Sequence, residues 1–288
     1  MNDYVIYTDS ACDIKPEILK DWGVPFTSLT FRFEGSNTEY SDGAMPEHEF
    51  YDKMRSGSIA KTSAVNSEIF SVAFDNILRE GKDILYLGFS SGLSATYSSA
   101  KIAADALREK YPERKIFTVD TLAASAGFGL LLYLTLEQKK NGATIEEAAA
   151  YAEKMKLKIC LWFTVDDLVY LKRGGRVSPA VALVGTMLGI KPVLHMDNEG
   201  HLINKSKVRG RKAALAALAA KYGELRDPEG DDTIFISHGD CMEDVKILEN
   251  MLHEQYGKSV KLVTFVGTVI GAHSGPGTMA LFFVGKER

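Results

Sequence analysis

Cysteine is scarce in this sequence. Cys12, Cys160 and Cys241 are the whole supply in 288 residues, and no two form a C-x-x-C pair. An odd, widely spaced set is no disulfide framework, so the three read as reduced thiols of a cytoplasmic protein, small buried residues rather than nucleophiles. Long apolar runs are missing too. The most apolar stretch, 123–136, is broken by Gly127 and Gly129 and falls short of the ~20 residues that span a bilayer; it reads as a buried helix, and no transmembrane segment is expected. The opening Met-Asn-Asp-Tyr carries no basic n-region, which predicts no signal peptide. There is no surplus of basic charge. The 34 Lys and Arg stand against 38 Asp and Glu, a net charge of −4, which argues against a general nucleic-acid or anionic-membrane binder. Nucleotide and metal motifs are absent as well. Gly257-Lys258-Ser259 has Leu252 where a P-loop needs its first glycine, no G-x-G-x-x-G follows the first strand, and the six histidines form no H-E-x-x-H. Neither a cofactor nor a metal is therefore expected.

What is present is an ordinary globular balance, 45% hydrophobic and 25% charged, on a chain long enough to bury a full core. Strand and helix patterns alternate. Strands are predicted at 4–8, 24–33, 83–89, 115–119 and 160–165, and helices at 46–55, 67–79, 94–109, 123–140 and 144–158. Asn66 or Ser67 is the N-cap of the second helix, and Asn141-Gly142 breaks the last two apart. Strands separated by helices of this length imply parallel crossovers, a Rossmann-like α/β domain. Beyond residue 160 the texture changes. A helix near 178–188 leads to a strand at 190–196, the turn 197–200, and a strand from His201. An alanine-rich helix (209–222), a strand (233–237), a helix (242–255), and strands at 259–266 and 278–284 follow. The hairpin signal and the terminal strands suggest a mixed or antiparallel sheet. The expectation is two α/β domains, 1–160 and 161–288, with ligand between them.

Ligands of parallel α/β sheets collect beyond the carboxyl ends of the strands, which singles out several segments. Ser90-Ser91-Gly92-Leu93-Ser94-Ala95-Thr96 sets hydroxyls and a glycine at a strand-to-helix turn. Free N–H groups there suit an anion, and a simple helix cap is the other reading. Thr62-Ser63, ahead of the helix at 67, reads by itself as turn chemistry. His273 stands among Gly271, Gly275 and Gly277 near a strand end, either a structural imidazole or a group that hydrogen-bonds a carboxylate or phosphate. Arg173-Gly174-Gly175-Arg176, with Arg209 and Arg211 adding charge, is by itself a solvated turn, though guanidinium forks also match acidic groups. Gly88-Phe89-Ser90-Ser91-Gly92 also fits G-x-S-x-G, the nucleophile elbow of hydrolases. That gives an alternative: a serine hydrolase with Ser90 as nucleophile and His273 as base, with Asp231, Asp232 and Asp240 available in sequence but none identifiable as the triad acid.

Taken in order, five segments resemble the DegV family of bacterial fatty-acid-binding proteins. They are Thr8-Asp9-Ser10-Ala11-Cys12-Asp13-Ile14, Lys61-Thr62-Ser63, Ser90 to Tyr97, Lys172-Arg173-Gly174-Gly175-Arg176-Val177-Ser178, and His273-Ser274-Gly275-Pro276-Gly277. The resemblance covers essentially the whole chain. It departs at Ala64-Val65-Asn66, where glutamine and proline usually follow the T-S pair, and at Ala95, usually glycine.

The resemblance implies two α/β domains with a long acyl chain buried between them. It implies a carboxylate held by Thr62, Ser94 and His273, with Ser63, Ser91, Gly92, Ser274 and Gly275 beside them. It also implies a non-enzymatic carrier that presents the carboxylate to a separate ATP-dependent fatty acid kinase subunit, which makes an acyl-phosphate for phospholipid synthesis. Arg173, Arg176 and Arg209 match the family's arginines near that mouth. The residues suit such a ligand: an acyl chain gains about 0.8 kcal/mol per buried CH₂, while its carboxylate needs donors. Apolar positions on 67–80, 123–136 and 178–188 are candidates for the tunnel lining, most apolar positions being simply core. A regulatory module for another anionic lipid is a third reading.

Overall fold

The computed structural model describes residues 3–177 and 189–288. The chain opens with β1 (Tyr4–Asp9), a 3-10 turn (Ser10–Cys12), α1 (Pro16–Asp21), β2 (Phe26–Thr27), β3 (Thr30–Phe33), β4 (Tyr40–Ser41), α2 (Glu47–Arg55) and β5 (Ala60–Ser63). It continues with α3 (Ser67–Arg79), β6 (Asp83–Gly88), α4 (Thr96–Lys110), β7 (Ile116–Asp120), α5 (Ser125–Lys140), α6 (Ile145–Met155), β8 (Ile159–Thr164) and α7 (Val169–Gly174). Then come β9 (Ile190–Met196), β10 (Leu202–Arg209), α8 (Arg211–Leu225), β11 (Ile234–His238), α9 (Met242–Tyr256), β12 (Leu262–Phe265), α10 (Thr268–Ser274) and β13 (Met279–Val284).

Local chemistry sets several boundaries. Asn66 is the N-cap of α3, its side chain accepting from the Ile69 N–H. Thr144 and Glu147 close a reciprocal capping box on α6. Each satisfies backbone donors that a helix start leaves open.

Among the described residues, three sheets result. One has the order β2-β1-β6-β7, with every pairing parallel. A six-stranded mixed sheet has the order β10-β9-β8-β13-β11-β12, antiparallel except for β11 with β12. The third is a small antiparallel sheet, β4-β3-β5. The α/β class with a parallel sheet and a mixed sheet is therefore the observed architecture.

Local details differ from the sequence reading. The stretch 24–33 is two strands in different sheets, because Phe26–Thr27 pairs in parallel with the end of β1 while Thr30–Phe33 turns away to pair with β5. Strand β5 and helix α7 went unpredicted; both are short, at four and six residues. The glycine-rich segment before β13 folds as helix α10. The helix expected near 178–188 lies outside the described residues.

The six-stranded sheet is apolar on both faces. Successive side chains of a strand point to opposite sides, so Cys160 and Trp162 of β8 and Met279, Leu281 and Phe283 of β13 face α8 and α9 in one buried cluster. Leu161, Phe163, Ala280 and Phe282 face the other way and join the main core with the parallel sheet's residues. Helix α5 lies on this second face, against β8, β11 and β13.

One buried carboxylate ties the ends of the parallel strands together. Asp9, at the end of β1, accepts hydrogen bonds from the Ala11 N–H (3.1 Å), the Tyr86 hydroxyl (2.7 Å) and the Phe89 N–H (2.9 Å). It thereby fixes the exit of β6, where the serine segment begins. Burial outweighs these bonds and raises the Asp9 carboxyl to about 6. Its unfolded value is near 3.9. Between those values the folded state holds the proton and the unfolded state does not, so this residue's contribution to stability falls as pH rises from about 4 to 6 and is constant above. The prediction follows for Asp9→Asn, which cannot ionise. Urea unfolding at pH 4 and pH 7 should show the variant gaining on the parent at the higher pH, by on the order of 3 kcal/mol. A difference between the two proteins that does not change with pH would refute this account.

Candidate functional site

A cavity of about 280 Å³ lies between the second face of the mixed sheet, the serine segment and the small sheet. It sits near the lower end of the ~300–1,000 Å³ usual for small-molecule sites. Its walls are mostly apolar. Strand pairs at spacing two supply much of the lining: Leu161 and Phe163 from β8, Ala280 and Phe282 from β13. Thr62, Ser63, Ser94, Arg176, His273 and Ser274 also line it. The structure thus brings together residues from β5, the loop before α4, the segment after α7, and α10, which lie up to 212 positions apart.

Helix α10 packs against α7, β3 and β5. This brings the His273 imidazole to Thr62, with Nε2 2.8 Å from Oγ1. Its Nδ1 is buried without a partner. An orphaned buried N–H is rarer than an orphaned acceptor, which favours the tautomer with the proton on Nε2. Thr62 then accepts from the ring, and its own hydroxyl proton is free to point into the cavity. Nδ1 lies against the backbone of α7: a Cβ at Gly174 would come within 2.1 Å of it. Glycine at that position is what allows the imidazole to lie where it does. Burial, with the Arg176 guanidinium adding to it, lowers His273 to about 4, so the ring is neutral at pH 7 and acts as a hydrogen-bonding group.

Ser94 stands across the cavity rim. Its Oγ accepts from the Thr96 N–H at 3.2 Å and lies 2.9 Å from the Thr96 hydroxyl. With Thr96 donating, the Ser94 proton is also available. Arg176 donates to the carbonyls of Leu93 and Gly174, and burial lowers its pKa. Ser274 Oγ is buried and unpartnered at the same wall. Two free hydroxyl protons, an imidazole and a guanidinium at one end of an apolar cavity make a receptor for an anionic group on an apolar body.

The other expected residues stand elsewhere. Ser91 is exposed and its N–H donates to the Asp120 carboxylate. Gly92 lies against the Gly200 carbonyl and does not line the cavity. Gly275 packs under the Tyr170 ring. Arg173 is exposed in a second depression that adjoins the cavity, shared with Lys61, Glu34, Thr62, Arg176 and His273. Arg209 ends β10 opposite Ile190, away from both. Of the helices expected to line a tunnel, α3 contributes nothing to the cavity, and the 123–136 stretch gives only Ala124 and Ser125. The lining the sequence reading missed comes from β8 and β13, and its signal was their continuous apolar runs, which mark strands buried on both faces.

The geometry does not support the hydrolase alternative. Ser90 is fully buried and its hydroxyl donates to the Gly200 carbonyl at 2.9 Å. It serves to dock the serine segment on the β9–β10 turn. No carboxylate holds His273, as a triad base requires: Asp232 pairs with Lys258, Asp240 with Arg55 and His48, and Asp231 caps the Thr233 N–H. Among the described residues, no group of three His, Cys, Asp or Glu side chains is placed to hold a metal ion, and no helix is long and apolar enough to cross a membrane.

The chain is similar to known proteins over essentially its whole length. A family model described as "Uncharacterised protein, DegV family" matches residues 3–286. A DegV domain-containing protein of Clostridium perfringens is 43% identical over 291 residues, covering 100% of this chain and 99% of its own. A solved structure from Thermotoga maritima, described as revealing fatty acid binding function, superimposes with a TM-score of 0.84 at 31% identity, covering 99% of this chain and 100% of its own. A DegV family protein from Thermus thermophilus, described by its fatty acid binding, gives a TM-score of 0.86 at 29% identity over 99% of this chain and 100% of its own. The chain belongs to the DegV family.

Proposed function

We propose that this protein is a non-enzymatic carrier of a long-chain fatty acid, with the carboxylate held by Thr62, Ser94 and His273 and the acyl chain lying along the apolar wall. The observation that carries the reading is the joining of a donor-rich end to an apolar cavity. A C16 chain has a gross driving force on the order of 10 kcal/mol for burial before association costs. The head group would lose that gain unless hydrogen-bonded, and the Ser94 and Thr62 hydroxyls answer that need, the neutral His273 ring donating to Thr62 and so turning its hydroxyl proton toward the ligand. Arg176, on the same wall, complements the charge. Fatty acid binding by the related proteins of Thermotoga maritima and Thermus thermophilus supports the same ligand class.

The division of labour between domains 1–160 and 161–288 belongs to this reading, with the ligand between them. So does delivery to a separate ATP-dependent fatty acid kinase subunit. Lys61, Arg173 and Arg176 surround the depression outside Thr62 and His273, and cations there suit an incoming phosphoryl donor. Arg173 and Arg176 are the transfer candidates; Arg209, remote from that mouth, is not carried forward.

Two measurements test the head-group assignment. Ser94→Ala and His273→Ala should each weaken palmitate or oleate binding about tenfold or more, the scale of one hydrogen bond to a charged group, with the fold intact by circular dichroism; full affinity in both would refute the assignment. In the ligand-free protein, nitrogen NMR of His273 should find a neutral ring through pH 6 and protonation near 4. Bound palmitate should raise that midpoint, since a nearby carboxylate favours the charged ring. A midpoint unmoved by ligand would separate His273 from the carboxylate.

A further inference from the structure

The cavity has a second polar feature, built of groups distinct from those assigned to the head group. Ser125, at the first position of α5, and Ser237, in the middle of β11, both line it, and their hydroxyl oxygens are 2.9 Å apart. Behind them the Ser125 hydroxyl meets the buried Asp13 carboxylate. A row across the mixed sheet explains the position. Phe163, Ala280, Ser237 and Thr264 are register neighbours on β8, β13, β11 and β12. The row passes from apolar to polar, and Thr264 donates to the Asp13 carbonyl at 2.9 Å. Ser237 is thus the member of the row that touches both the Asp13 network and the apolar cavity.

Two observations set this pair apart from incidental hydroxyls. Ser125 holds φ at +55°, a left-handed backbone that costs a non-glycine residue about 1–2 kcal/mol, and in this conformation its hydroxyl joins Asp13 to Ser237. The chain of bonds also leaves capacity at its cavity end. If Asp13 is ionised, Ser125 donates to it, Ser237 donates to Ser125, and lone pairs of Ser237 remain. If Asp13 is protonated, the direction reverses and the Ser237 proton is free. Burial and the neighbouring Asp42 raise the Asp13 carboxyl well above the usual range. A ligand hydroxyl both donates and accepts, so it fits either.

We propose that Ser237, backed by Ser125 and Asp13, is a subsite for a hydroxyl group on the acyl chain, and that hydroxylated long-chain fatty acids are ligands of this protein. The proposal rests on the carrier reading and adds a specificity determinant to it. A saturated chain passing Ser237 offers no bond there; a chain with its hydroxyl at that depth gains one, and an isomer with the hydroxyl elsewhere must bury it unpaired.

The test is a positional series of hydroxystearates, with stearate as reference, titrated against the parent protein, Ser237→Ala and Ser125→Gly. The glycine keeps the left-handed backbone while removing the hydroxyl, so a folded variant is available if the strand substitution is not tolerated. One isomer should bind the parent at least about fivefold more tightly than the isomers flanking it, the scale of one net hydrogen bond. That preference should vanish in either folded variant, while stearate affinity stays within about twofold. Equal affinities across the isomers, or a preference that survives both substitutions, would overturn the subsite and leave the carrier reading in place. Failure of stearate and oleate to bind the parent protein would overturn the carrier reading itself, and the subsite with it.

Discussion

The mixed sheet separates two kinds of apolar environment, and the arrangement of the molecule depends on that separation. Because successive residues of a strand face opposite ways, Trp162 and Leu281 are committed to the helices α8 and α9, while Leu161, Phe163, Ala280 and Phe282 are committed to the opposite side. Helix α5 covers part of that second face. Its Gly127 lies so close to Phe282 and Leu161 that a Cβ would stand 2.6–2.7 Å from them. Where α5 ends, the same face continues as the cavity wall. The cavity is an uncovered continuation of the core, which is why it is apolar.

Its polar end is made differently. No single element carries the donors; α10 sets His273 against Thr62 of β5 and against the glycine backbone of α7, and the serine segment brings Ser94 from the exit of β6. Asp9 holds that exit through three hydrogen bonds. A carboxylate buried for structural reasons thus positions a segment whose Ser94 lines the cavity. The low proton affinity of His273 has the same origin: the apolar surroundings that favour an acyl chain disfavour a charged ring.

The serine segment also explains why a hydrolase signature occurs without hydrolase geometry. A strand-to-helix turn with small residues satisfies G-x-S-x-G, but the serine at its centre is spent on the Gly200 carbonyl. The hydroxyl that reaches the cavity is Ser94, four residues on. Here the motif marks a tight turn docked on a neighbouring hairpin, and the residue beyond it lines the cavity.

Much was legible in the sequence. The parallel β-α alternation, the hairpin at 197–200, the cap at Asn66, and the segments carrying Thr62, Ser94 and His273 all follow from local patterns, because propensity, capping and turn chemistry act over a few residues. The motif order also identified the family. Tertiary structure alone decided which residues of each motif turn inward. Ser91 and Ser94 are chemically identical in sequence, yet one is exposed beside Asp120 and the other lines the cavity. Arg176 and Arg209 look equivalent as charges, yet only Arg176 reaches the wall. The lining from β8 and β13, and the meeting of Ser125, Ser237 and Asp13 across more than a hundred residues, depend on strand register and helix packing. Those are long-range pairings, and a one-dimensional pattern specifies the faces that must be buried but not the partner that buries each one.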